Sequence, residues 1–184
     1  MITLLALTAV PATALAEGTH ASIFYAFTAT GKPTLPVKQV FGYCWTGSLA
    51  TRRADAWRCF VGNDIYDPCF ASSVAPGIVV CPTAELNRAI EIRLTRPLPY
   101  DYADRGRPSL ESAPWDIETV NGNYCFVITG ATNIVDKQPL RYECSDNVGL
   151  WGAPAQNTKP WTILWAPFNA TSLHQRIGIR HVWM

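Results

Sequence analysis

Six cysteines, each beside or one step from an aromatic or β-branched residue, constrain this chain more than any other feature. Their spacing alone leaves many connectivities open. A repeated pattern narrows the choice. Tyr43-Cys44-Trp45, Thr46-Gly47 and Trp57-Arg58-Cys59 match Tyr124-Cys125-Phe126, Thr129-Gly130 and Tyr142-Glu143-Cys144. Both copies continue with an Asn, an aliphatic residue, an aromatic and a Pro: Asn63, Ile65, Tyr66 and Pro68 against Asn147, Leu150, Trp151 and Pro154. Each is later followed by an apolar run, Ile90–Leu94 and Trp161–Trp165. Read as a duplication, the pattern pairs Cys44–Cys59 and Cys125–Cys144 and leaves Cys69–Cys81 as a bridge special to the first half. Short apolar runs on either side of a Gly-containing connector are antiparallel strands on which opposed cysteines can meet. No C-x-x-C redox motif and no zinc-type pairing of Cys and His occurs, so the cysteines read as staples.

Staples imply an oxidising compartment. The N-terminus agrees: an apolar run from Ile2 to Val10 leads through Pro11 to Ala14-Leu15-Ala16, a signal-peptidase pattern too short to span a bilayer. A basic n-region is missing, since no Lys or Arg precedes Lys32, so the true start is read as lying further upstream. Residues 1–16 are read as a secretory signal, and residues 17–184 as one secreted β domain with halves at about 36–99 and 118–184.

The remaining sequence has strand character. Val40–Trp45, Val79–Cys81, Tyr124–Thr129, Leu140–Cys144, Trp161–Trp165 and Ile177–Trp183 are short β-prone runs, and Ile90, Ile92 and Leu94 alternate with Glu91, Arg93 and Thr95. Ala50–Ala56 and Asp64–Pro68 read as exposed loop and turn, Thr83–Arg88 as one helical turn capped by Thr83, and Tyr100–Pro114 as a long link between halves. No stretch sustains a helical period. The expected fold is mainly β: antiparallel sheets as a sandwich or barrel, two quasi-repeated hairpin halves, disulfide-stapled, with little helix.

Composition excludes more than it identifies. The net charge of +1, with Lys and Arg spread along the chain, gives no basic stripe for nucleic acid, and no later apolar run is long enough for a membrane span. Nucleophile-elbow, zinc-protease, phosphate-loop and dinucleotide motifs are all missing. His174 and His181 are seven apart and would point to opposite faces of a strand, and His181, in phase with Ile177, Ile179 and Trp183, reads as a core histidine. No cofactor and no metal site is expected. Asn63, Asp64 and Asp67, with Asp55 nearby, are better explained as turn-capping groups than as calcium ligands. Asp55, Asp64 and Asp67 are the candidates for a carboxylate pair should the protein be a glycosidase-like hydrolase.

Aromatics carry the binding signal. Trp45, Trp57, Trp161, Trp165 and Trp183 lie in apolar runs or beside cysteines, where packing on a disulfide is the default. Tyr66, Tyr100, Tyr102, Trp115 and Trp151 lie in loop-like sequence, and Tyr66, Trp115 and Trp151 with Asn63 form the expected ligand-binding set. The segments Gly42-Tyr43-Cys44-Trp45-Thr46-Gly47-Ser48, Asp55-Ala56-Trp57-Arg58-Cys59, Asp67-Pro68-Cys69-Phe70 and Pro160-Trp161-Thr162-Ile163 together resemble a group of uncharacterised secreted proteins of soil bacteria, chiefly actinobacteria. The resemblance spans most of residues 17–184 and implies export, with no activity or catalytic residue to carry over. The functional expectation is an extracytoplasmic, non-enzymatic binding module for a cell-wall glycan, another polysaccharide or an extracellular protein. The alternatives are the secreted hydrolase and a structural or inhibitory envelope protein.

Overall fold

The computed structural model describes residues 18–99, 109 and 112–184. The signal-like segment, Tyr100 and Tyr102 lie outside the described residues. Among these residues every regular element is a strand, and the strands form two rings side by side.

The first ring is a closed five-stranded barrel of β2 (Val37–Gly47), β3 (Ala56–Val61), β4 (Asp64–Ala71), β5 (Ile78–Pro82) and β6 (Ala89–Leu94). Successive strands are antiparallel, and β6 closes on β2 in parallel, Val37 opposite Ala89 through Gly42 opposite Leu94. The interior holds Trp57, Val79, Ile92 and two bridges, Cys44–Cys59 and Cys69–Cys81. Filling so small a barrel with sulfur and one indole leaves its outer face free for other contacts.

The second ring contains β7 (Asp116–Thr119), β8 (Tyr124–Val127), β10 (Gln138–Cys144), β11 (Val148–Ala155), β12 (Thr162–Pro167) and β13 (Gln175–Trp183). Hydrogen-bonded neighbours run β7-β8-β10-β11-β12-β13, and β13 returns to β7. The short β9 (Ile134–Val135) pairs with β10, and β1 (His20–Ser22) runs parallel to the end of β13. Cys125–Cys144 spans β8 and β10 inside this ring, with Tyr142, Leu150, Ile163 and Ile179 around it.

The three bridges are the pairs that the repeat predicts, and Cys44–Cys59 and Cys125–Cys144 are each directly opposed across their ladders. Topology extends the correspondence strand by strand, from β2 with β8 and β3 with β10 to β6 with β13, while β7 is an extra strand of the second ring. The alignment of later strands changes accordingly. Ile90–Leu94 lies on β6, whose counterpart is β13, whereas Trp161–Trp165 runs into β12, the counterpart of β5.

Three local expectations are corrected. Asp64–Pro68 is strand, with Asp67-Pro68 placed in a bulge opposite Arg58, where Pro needs no ladder partner. The reversal is instead the two-residue loop Gly62–Asn63, with Gly62 at a φ of 60°. Thr83–Arg88 forms the β5–β6 turn, closed by Thr83 N–H donating to Arg88 O; Leu86 N–H donates to Thr83 O at 2.9 Å in a single reversal, and Leu86 at a φ of 52° stops it from continuing as helix. Finally, the loop Ala50–Ala56 is not exposed throughout: Thr51 and Arg53 are buried, Arg53 reaching Met184 O beyond the end of β13.

That seam is a core of its own. Phe24, Phe70, Val80, Ala89 and Trp115 pack there, with Phe126, Val127 and Trp183 against them from the second ring.

Candidate functional site

A barrel strand has two faces, and the inward face of β2 is taken by Cys44. Its outward residues therefore include Phe41 and Tyr43. Tyr43 stands opposite Phe60 on β3, and Phe60 opposite Ile65 on β4, so the row continues across three neighbouring strands. Trp45 joins it through a bulge: the β2–β3 register shifts between Cys44 and Thr46, and the extra residue lays its indole on the Phe60 ring. The Trp45 and Phe60 centroids are 4.1 Å apart at an interplanar angle of 24°, and Tyr43 lies 5.6 Å from Phe60.

Solvent meets this row directly. Phe41 is 72% exposed and Ile65 48%, whereas Tyr43, Trp45 and Phe60 are half-buried, with Tyr43 and Trp45 each against Phe60. Guanidinium groups border the rings. Arg96 lies 3.8 Å over the Tyr43 ring and Arg58 lies 5.4 Å from the Trp45 ring centre. Arg93, opposite Phe41 in the β2–β6 ladder, donates to Gln39 Oε1 at 3.2 Å. Gly42 lets the hairpin close behind the row, since a Cβ there would collide with the Phe60 carbonyl oxygen.

The residues expected to bind ligand are elsewhere. Trp115 and Trp151 are fully buried, which corrects their assignment to a binding surface. Trp115 lies at the centre of the seam, with Phe24, Phe70 and Phe126 each 5.6 Å away. Trp151 is on β11 rather than in a loop, packed with Leu140, Ala166 and Leu173. Tyr66 is half-buried and packs towards the first barrel's interior, lining a 230 Å³ cavity at the seam. Asn63 is exposed at the β3–β4 tip, in the loop beyond the Val61–Asp64 pair.

Nor do the carboxylates converge. Asp64 is exposed beside Asn63 at that tip. Asp55 forks onto Arg53, with Nη2 to Oδ2 at 2.7 Å and Nε to Oδ1 at 3.0 Å, at the edge of a 1060 Å³ open groove walled by Trp57, Leu94, Pro97 and Leu98. Asp67 is buried and accepts from the Ser48 hydroxyl and, at 3.0 Å, from Leu49 N–H. Ser48 Oγ in turn accepts from Ala50 and Thr51 N–H at 3.0 and 3.1 Å. Burial pushes the Asp67 carboxyl above its usual range, against the pull of Ser48, Leu49 and Arg58. Both its oxygens are committed to the β2–β3 loop, which makes it a loop anchor rather than a proton-transfer group.

The sequence places Trp45 among the residues that pack on a disulfide and gives Phe41, Tyr43 and Phe60 no binding role. The period-two series Phe41-x-Tyr43 flanking an inward cysteine carried the signal. No family model matches this chain, and comparisons with curated proteins and with solved structures found no match.

Proposed function

We propose that the protein is an extracytoplasmic binding module that holds a polysaccharide against the outer face of β2, β3 and β4. The observation that carries this reading is the continuous row of Phe41, Tyr43, Trp45, Phe60 and Ile65, open to solvent on a barrel whose interior is already filled. An apolar row of this kind is unusual on a solvated strand face unless something covers it. Ring faces and edges supply flat apolar contact for the C–H faces of sugars, and Arg93 and Arg96 place donors along the margin for hydroxyl and carboxylate oxygens. Three disulfides, and no helix among the described residues long and apolar enough to cross a membrane, suit a protein acting in an oxidising space. Asp55, Asp64 and Asp67 lend no support to hydrolysis, since each is held in a different environment.

The test is co-sedimentation of the oxidised protein with insoluble glycans and cell walls. Covering a side chain the size of Phe41 contributes about 1.5–3 kcal/mol. Saturable binding should therefore weaken roughly tenfold or more in Phe41→Ala and Trp45→Ala. Ile134→Ala, which trims an equally exposed residue of the second ring, should bind as the parent does. Failure to bind any glycan, or equal loss in all three variants, would exclude this face as a polysaccharide site.

A further inference from the structure

A second chemistry is assembled where β1 meets β13. The parallel ladder sets His20 opposite His181 and Ser22 opposite Trp183. His20 Nδ1 lies 3.2 Å from His181 Nε2. Ser22 Oγ lies 2.9 Å from His181 Nε2 and 3.3 Å from His20 Nδ1. Three donor atoms thus close a triangle, with one lone-pair-bearing atom at each corner.

That triangle has the dimensions of a coordination face. Two nitrogen ligands about 2.05 Å from a tetrahedral metal stand roughly 3.3 Å apart. The frame is held in advance: the His181 ring lies flat on Trp183, with centroids 4.1 Å apart and planes within 3°. Glu118, opposite His181 in the β7–β13 ladder and tied to Arg180 at 2.7 Å, adds negative charge beside it. His20 is exposed, so the outer side of the triangle is open to solvent.

We propose that His20 Nδ1, His181 Nε2 and Ser22 Oγ form a site for a first-row transition dication, with zinc as the best geometric fit. Without metal, the three atoms form a hydrogen-bonded triangle; to bind the ion each imidazole turns a lone pair towards it by carrying its proton on the other ring nitrogen, and the Ser22 hydroxyl stays protonated. Among the described residues no group of three His, Cys, Asp or Glu side chains is placed to hold a metal. The site therefore has two strong ligands and one weak neutral hydroxyl, with water completing the shell, and binds with modest affinity. Linear spacing conceals it, because 161 positions separate the histidines.

The probe is zinc itself, titrated into chelator-stripped, oxidised protein in competition with a chromophoric chelator. One equivalent should bind, and the imidazole nitrogen resonances of both His20 and His181 should shift. His20→Ala and His181→Ala should each weaken binding at least tenfold, Ser22→Ala roughly two- to fivefold, and His174→Ala not at all. Near-UV circular dichroism confirms that each variant is folded; exposed His20 makes that variant the safest. Zinc binding to His20→Ala with the parent affinity, or no saturable zinc binding by the parent, overturns the proposal.

Discussion

Asp116 shows what a single residue can conceal. It opens β7, is fully buried, and neither carboxylate oxygen has a hydrogen-bond partner. Burial is the main reason its carboxyl titrates well above the usual range; the nearby Ile117 N–H, too poorly placed to count as a hydrogen bond, offsets this only in part, and Glu118 adds to it. Because the folded pKa exceeds the unfolded value of 3.8, the native state holds its proton longer as pH rises. Stability therefore falls as pH climbs from that value through the folded pKa. Asp116→Asn removes the ionisation and should stabilise the protein by about 1–3 kcal/mol at pH 8, and much less at pH 4. Urea midpoints at the two pH values measure this, and equal gains at both would refute it. Asp67 is raised in the same direction, but its bonds to Ser48 and Leu49 make truncation there costly instead.

At the scale of elements, the repeat explains why so much was legible. Aromatic-Cys-aromatic is a period-two pattern with the sulfur inward, so it encodes strand, face and cross-strand partner together. Trp115 and Trp151 were misplaced for the converse reason. Gly, Pro and Asn around them resemble loop sequence, yet the small residues make room for large ones: a Cβ at Gly149 would collide with Leu140 Cδ1, which packs beside Trp151. The bulges at Trp45 and Asp67-Pro68, and the His20–His181 contact, depend on register between strands and leave no local trace. Register also shows why the first barrel needs its additional bridge. β4 and β5 are paired at only two positions, Phe70 with Val80 and Ala71 with Val79, while Cys69–Cys81 lies beside them. Replacing both of these cysteines by Ala should cost about 2–4 kcal/mol. Amide exchange should accelerate at Phe70, Ala71, Val79 and Val80 well before it does in β12 and β13. Uniform acceleration across both rings would mean that this bridge does not secure the β4–β5 junction.

Across the whole molecule, two rings become one unit through a seam that neither half specifies alone. Arg53 is its polar centre. From the first barrel's β2–β3 loop, its Nη1 donates to Phe24 O at 2.6 Å and to Met184 O at 3.1 Å, while its plane lies 4.3 Å over the Phe70 ring. Its remaining donors meet Asp55. A planar, always-charged group is suited to this place, since it offers donors in several directions while stacking on an aromatic ring. Around it Trp115, Phe24 and Phe70 form an aromatic cluster, and Arg58 adds a second tie by donating to Thr129 O of the second ring at 3.0 Å. Arg53→Met keeps the apolar stem but strands the Phe24 carbonyl, leaves Met184 O only a long 3.4 Å bond from Phe24 N–H, and releases Asp55, so it should destabilise by about 2–4 kcal/mol. The loss should also be one of coupling. Intrinsic tryptophan fluorescence, dominated at the seam by Trp115, should report separation of the rings at lower urea than far-ultraviolet circular dichroism reports loss of strands. Coincident transitions with an unchanged midpoint would show that the apolar seam alone couples the rings. In that outcome Arg53 would serve to order the β2–β3 loop behind the aromatic face, which would link seam and binding surface through Ser48 and Asp67.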